Sequence, residues 1–302
     1  MKTKYLVKYI IILLFILSLL WIIIDRKILI TDSTIKVCMC TPIKKENLYI
    51  KEFVDYYRSY NVDKIFLYDN NDIDGEHLEF VISNYVQSGF VEIINFRGKI
   101  KALYDMMNDC YKKNFLFYDW LIFYEIDEFI NLKNFHDIKK FVSLPKFNNC
   151  QTIQLNWLMH TDNNHLYYED KPLKKRFVES NKLIKITGVK SILRGKIYNI
   201  TINCVHRINT NLRTCDGLGR RTYLEGAGTS LLDYKYYYID HYFCKSTQEF
   251  VNKLNKKDAL YIDSNLRDRI KVYFAINKPT KEKKDYMKNH IITNISLDDL
   301  LT

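Results

Sequence analysis

Apolar positions along the first half of the chain fall into two alternating rhythms. Residues 35–40, 64–68, 91–95 and 118–124 are short apolar runs, the pattern of strands covered on both faces. Between them the apolar residues recur at helical spacing. Residues 46–60 carry Tyr49, Phe53, Tyr56, Tyr57 and Tyr60 on one stripe, and Asn61 closes the helix. Residues 78–86 and 102–111 read as two further helices. Strand and helix in alternation predict an α/β fold with a mostly parallel central sheet flanked by helices. Sheets of this kind bind ligands beyond the carboxyl ends of their strands.

Two of those strand ends carry acids. The strand at 64–68 runs out into Asp69, Asn70, Asn71 and Asp72, which is also ordinary turn chemistry. The run Trp120, Leu121, Ile122, Phe123, Tyr124 meets Glu125, Asp127 and Glu128. Period-2 geometry puts Glu125 and Asp127 on one side of an extended chain. Acids that close repel each other and resist desolvation, and a divalent cation relieves both problems. Mg²⁺ or Mn²⁺ is held by one or two carboxylates together with the phosphates of a substrate. The plainer alternative is a strand that runs out into solvent, with the acids as its first loop residues.

The N-terminus adds a different feature. Residues 9–24 contain no charge, and 16 residues make about 24 Å of helix. Bulky Trp21, Ile22, Ile23 and Ile24 stand where a signal peptide would need small residues for cleavage. The stretch therefore reads as an uncleaved transmembrane helix, a signal anchor. Lys2, Lys4 and Lys8 precede it, and the positive-inside rule makes the chain a single-pass type II membrane protein. Residues 1–8 then form a cytosolic tail, 25–34 a short stem, 35–276 the folded domain and 277–302 a charged, loosely held tail. The body lies on the non-cytosolic side, in the ER or Golgi lumen of a eukaryote. Asn199-Ile200-Thr201 and Asn294-Ile295-Ser296 are acceptor sequons there.

Composition supports a folded body, since 47% of the 302 residues are hydrophobic. The net charge of +11 is spread along the chain with no nucleic-acid-binding signature, and reads as partly the bias of a Lys/Ile/Asn/Tyr-rich composition and partly phosphate handling. Seven cysteines show no Cys-x-x-Cys spacing, which argues against structural zinc. Cys38 and Cys40 alternate along the first strand and read as small core hydrophobes, and no disulfide pairing is deducible.

The second half is less regular. Residues 151–158 and 183–187 read as strands, and Lys190, Arg194 and Lys196 form a cation cluster suited to an anionic leaving group or to a solvated face. Gly217, Gly219, Gly226 and Gly228 suggest a flexible lid or acceptor loop. The run at 236–239 leads to His241, with Lys245 following, and 247–257 and 265–275 read as helices.

An ordered set of motifs now resembles one family. Lys45-Glu46, a helix holding Glu52, Phe53 and Tyr56, Tyr68-Asp69-Asn70, Asn108-Asp109-Cys110, and Asp127-Glu128-Phe129 follow in order. Asn156-Trp157, Lys190-Ser191-Ile192, His241-Tyr242 and Lys245-Ser246 complete the set. It is similar to the glycosyltransferase family 92 / family 2-like group over roughly residues 36–260. Glu125 departs from the usual first Asp, Phe53 stands for Trp, Tyr57 for His, and no Asn separates Lys45 from Glu46.

The resemblance implies a GT-A fold and transfer of a sugar, with inversion, from a nucleotide-sugar donor, a UDP-sugar, to a hydroxyl of a glycan acceptor. It implies Glu125, Asp127 and His241 as ligands of Mn²⁺ or Mg²⁺. Glu46, Asp69 and Asn70 would meet the nucleoside, and Lys190, Arg194 and Lys245 the diphosphate. Inversion needs a general base, for which His206, Asp216 and Glu225 are candidates. The departure at Glu125 keeps a second reading open, a catalytically inactive membrane-anchored carbohydrate-binding protein of the same fold.

Overall fold

A computed structural model describes residues 35–181, 188–204, 206, 208, 211–222, 231–256 and 266–293, together with Ile16 and Ser18. Strands β1 (Val37–Ile43), β2 (Lys64–Asp69), β3 (Val91–Asn95) and β4 (Trp120–Ile122) pair in parallel, in the spatial order β3-β2-β1-β4. Helices α1 (Asn47–Ser59), α2 (Glu79–Gln87) and α3 (Leu103–Asn114) make the crossovers that parallel strands require. The sheet continues through β7 (Val189–Arg194), β6 (Thr152–Met159), β9 (Tyr237–His241) and β5 (Glu128–Leu132), while β8 (Thr214–Asp216) pairs with β6.

This second half is mixed. β7 is antiparallel to β4 and β6, and β5 is antiparallel to β9, whereas β6 is parallel to β8 and β9. The parallel sheet expected from the sequence therefore holds for the first four strands, and the whole is a mixed α/β fold.

Both faces of the sheet are covered. α1 buries Tyr49, Ile50, Phe53, Val54 and Tyr57, one stripe of the helix, and its Phe53 and Tyr57 rings pack on Phe129. Asn61, in the left-handed region at φ 61°, ends α1 as the sequence suggested. On the opposite face α3 buries Leu103, Met106, Met107, Cys110 and Tyr111 against Cys40, Tyr68 and Phe123. Short helices α4 (Ile138–Val142) and α5 (Leu173–Arg176) flank the sheet. A separate apolar cluster joins α6 (Thr247–Asn255), α7 (Leu266–Ile276) and α8 (Lys281–His290) through Phe250, Leu254, Ile270, Tyr273 and Met287.

Several expectations change. Cys40 does more than pack, because it forms a disulfide with Cys110 that joins β1 to α3, and Cys150 bonds Cys215. The charged tail is not loose over its described part. Thr280 caps α8, Met287 is fully buried, and Lys283 reaches the buried Asp162 at 2.6 Å. The described part of the glycine-rich stretch is a tight turn after β8, where Gly217 accepts a bond from Lys146. The segment 9–24 lies outside the described residues except for Ile16 and Ser18, as do the stem, the expected strand at 183–187, Glu225 and Asn294. Among the described residues no helix is long and apolar enough to cross a membrane.

Candidate active site

The carboxyl ends of β1 and β2 and the loop after β4 open onto one cleft of about 240 Å³. Its walls include Glu46, Asn70, Glu125, Asp127, His206 and His241. The acids do not reach it as period-2 neighbours on a strand. β4 ends at Ile122, and Glu125 to Asp127 form a turn closed by Glu128 N–H donating to Glu125 O at 3.1 Å. The Glu128 carboxylate in turn accepts from Glu125 N–H at 2.9 Å.

Asp127 and His241, distant in sequence, meet through a backbone ladder. Glu128 is the register partner of His241 across β5 and β9, and Tyr242 N–H donates to Asp127 O at 2.9 Å. That pairing leaves His241 Nε2 3.7 Å from Asp127 Oδ1, with both side chains buried. The other Asp127 oxygen accepts from Lys253 Nζ at 2.5 Å. Burial alone would raise the Asp127 carboxyl, but the ammonium groups of Lys253 and Lys245 outweigh it and hold it well below the usual range. Burial pushes His241 down to about 3 against the pull of Asp127, so its ring is neutral and keeps a nitrogen lone pair for a ligand.

Glu125 follows a different course. Its Oε1 lies 2.5 Å from the fully buried Lys190 Nζ, while 39% of its side chain stays open to the cleft. Burial opposes ionisation, yet Lys190 and Lys253 bring the carboxyl down to about 2. Burial pushes Glu128 up to about 8, with Lys190 only partly offsetting it. Lys190 thus serves the acids and not an open phosphate subsite.

On the nucleotide side expected from the sequence, Glu46 is engaged by Lys256, and Lys245 Nζ stands 3.9 Å away. Lys245 is buried at φ 50°, strained for a residue with a Cβ, with its ammonium 4.0 Å above the Tyr49 ring. Asn70 lines the cleft and donates to Phe96 O and Lys99 O. Asp69 sits behind it, bonded by Arg97 Nε at 2.8 Å and by Asn71.

Two expected residues do not join the group. Residues four apart on a strand are separated by about 13 Å. Arg194 accordingly lies at the opposite sheet edge, stacked on Trp120 and donating to Cys150 O and Phe147 O. Asp216 fastens its own turn by accepting from Leu218 N–H, Arg220 N–H and Arg220 Nε. Of the base candidates, His206 remains in the cleft. Its Nδ1 bonds Val189 O at 2.7 Å, which makes Nδ1 the N–H and leaves Nε2 as the acceptor.

Sequence reasoning missed Lys253 and Lys256. Both flank the apolar stripe of α6 (Phe250, Val251, Leu254), a position from which a lysine bridges core and cleft. Trp157 belonged to a recognised motif without a role. Its ring packs on His241 at 4.5 Å and edge-on to His206 at 5.1 Å.

The residues present fit a divalent ion in one respect and not in another. Among the described residues no group of three or more His, Cys, Asp or Glu is arranged to hold a metal. Glu125 is turned to Lys190, which leaves Asp127 and His241. Their 3.7 Å spacing accommodates two bonds of roughly 2.0–2.2 Å to one ion, and two protein ligands suffice when substrate phosphates complete the shell. Among the described residues, Asp127 Oδ1, His241 Nδ1, Glu46 Oε2, Asn70 Oδ1 and Trp157 Nε1 are buried without a hydrogen-bond partner. Five such atoms around one cleft leave hydrogen-bonding or ligating capacity unused there.

Comparison with known proteins agrees with the motif pattern. A glycosyltransferase family 92 protein of Ricinus communis is 27% identical over 97 residues, 32% of this chain and 17% of that protein. The chain thus spans a small part of that relative. Among solved structures, S. aureus TarS 1-349 in complex with UDP is similar at a TM-score of 0.41 and 12% identity, covering 88% of this chain and 77% of that one. The same protein in complex with UDP-GlcNAc gives 0.41 and 13%, covering 85% and 79%. The family model for glycosyltransferase family 92 matches residues 33–270, most of the length, and the chain belongs to that family.

Proposed function

We propose that this protein is a GT-A glycosyltransferase that moves a sugar from a nucleotide-sugar donor, a UDP-sugar, to a hydroxyl of a glycan acceptor with inversion. The observation that carries the reading is the cleft where Asp127, His241 and Glu46 present buried polar atoms without hydrogen-bond partners beside Lys253 and Lys256. Asp127 and His241 would hold Mn²⁺ or Mg²⁺. When bound, the ion neutralises charge on the leaving diphosphate.

The remaining work falls to this chain's own groups. Glu46 and Asn70, the latter backed by Asp69, orient the nucleoside end. Lys253, Lys256 and Lys245 draw charge from the diphosphate oxygens. His206 Nε2 takes the acceptor hydroxyl proton as that oxygen bonds the sugar C1. The C1–O bond to the diphosphate breaks, and its electron pair leaves with UDP. Lys190 keeps Glu125 ionised at the rim, where its open oxygen can accept from a sugar hydroxyl. In the cell we place the body beyond a membrane, tethered by residues 9–24.

The test measures UDP release from a panel of UDP-sugars, with and without Mn²⁺, for the wild type and Asp127→Ala, with circular dichroism on both. Metal-dependent release that vanishes in a folded Asp127→Ala is the expected result. No release from any nucleotide-sugar by the wild type would favour the carbohydrate-binding alternative and end this reading. Equal release by both proteins would remove Asp127 from the site.

A further inference from the structure

Lys253 has no part in the motifs read from the sequence, yet it makes a tight polar contact in the cleft, as Lys256 does with Glu46 and Lys190 with Glu125. Its Nζ lies 2.5 Å from Asp127 Oδ2, and only 11% of its side chain is exposed. The contact is held from behind. α6 starts at a capping box in which Ser246 and Glu249 bond reciprocally, and Glu249 is gripped by the buried Arg176. The lysine ammonium also lies 4.9 Å from the centre of the Phe243 ring. Asp127 is therefore already neutralised by a cation belonging to the chain.

We infer that Lys253 is a resident counter-cation at Asp127, in competition with the divalent ion and released to the donor diphosphate when that ion enters. The inference rests on the reading of Asp127 as an ion-holding carboxylate. A bare ion approaching Asp127 Oδ1 meets a full positive charge on the same carboxylate, so the free protein binds it weakly. An ion that arrives with a nucleoside diphosphate brings the anion that gives Lys253 another partner. In the resting protein Lys253 also spares the buried Asp127 an unpaired charge.

The experiment titrates the protein with Mn²⁺ and reads the free ion by electron paramagnetic resonance, without nucleotide. An opposite charge in contact with a carboxylate changes its affinity for a proton by roughly ten- to a thousand-fold, and the same electrostatics apply to a metal cation. K253M and K253Q should therefore bind Mn²⁺ at least about tenfold more tightly than the wild type. The gain should disappear in the K253M/D127N double variant. Thermal melts check that each variant folds. K253R, whose fork grips a carboxylate at least as firmly, keeps the test open should both neutral variants unfold, and it should bind Mn²⁺ no more tightly than the wild type. Unchanged or weaker binding by folded K253M and K253Q, a gain that survives D127N, or tighter binding by K253R would each overturn the inference. Failure of the glycosyltransferase reading shows separately, as absence of UDP release by the wild type, and leaves the ion titration interpretable.

Discussion

Replacing Glu249 should cost more stability than any single substitution on the rim of the cleft. This carboxylate is buried, accepts from Arg176 Nη1 and Nη2 at 2.6 and 2.9 Å, from Tyr49 Oη at 2.7 Å, and from Ser246 N–H and Oγ. It thereby ties α1, α5 and α6 together. Glu249→Ala leaves Arg176 charged and buried without its partner, a defect of about 3–5 kcal/mol. In a domain of this size about 2–4 °C of melting temperature is lost per kcal/mol, so a fall of roughly 6–20 °C follows.

The pH dependence has a definite sign. Burial would raise the Glu249 carboxyl, but Arg176 and Ser246 overcome it and set the folded value below the ordinary one. Its stabilisation is present above the ordinary carboxylate pKa and is lost as pH falls through the lower folded value. Urea unfolding followed by circular dichroism, at neutral and acid pH, measures both effects, and the gap between wild type and Glu249→Gln should narrow in acid. A loss under about 1 kcal/mol for Glu249→Ala, or strict additivity with Arg176→Ala, would refute the idea of one coupled buried unit.

His206→Gln should lower turnover by roughly a hundred- to ten-thousand-fold while nucleotide binding persists. Burial and Lys190 depress the wild-type ring below the ordinary value, so the base is already neutral at pH 7 and the acid limb of kcat against pH should fall below about 6.5. A limb at or above that value, or unchanged turnover, removes His206 as the base. Gly188→Ala should act on the cleft through Trp157, because a Cβ at Gly188 would stand 2.2 Å from Trp157 Cε3. We expect a loss of about 1–3 kcal/mol from overpacking and altered tryptophan emission, and a variant identical to wild type in both would contradict the packing described.

The parallel half of the sheet was legible because each strand and helix there carries its own period. The edge of the sheet that holds the cleft followed from the same reading, through the strand-end rule and Asp69-Asn70. The details of the acidic stretch were not legible. One apolar run from Trp120 to Tyr124 reads as a single strand, but the chain leaves β4 after Ile122 and re-pairs as β5 with a distant partner, β9. No local pattern specifies a pairing made across so many residues. Arg194 misled because a cluster in sequence is not a cluster on an extended strand. Lys253 was hidden for the opposite reason: a lysine on an amphipathic helix looks like a solvated charge until tertiary packing turns it inward. The disulfides lay beyond sequence reasoning because pairing depends on which elements face each other, as β1 and α3 do.

The β5–β9 ladder that joins Asp127 to His241 also sets a demand on folding fidelity. Backbone hydrogen bonds do not distinguish one register from the next, but a slip of one residue turns every side chain to the other face. In β9 such a slip would carry Asp240 into the place of His241, setting a third acid beside Asp127 and removing the neutral ring. Side chains on the far face oppose it. Asp240 is held by His160 Nε2 at 2.8 Å and by Asn131 Nδ2 at 2.9 Å, contacts that exist only in the observed alignment. Neither His160 nor Asn131 lines the cleft, yet their side chains act as a key that admits one alignment of the strands. The chemistry at Asp127 is therefore guarded from the opposite side of the sheet.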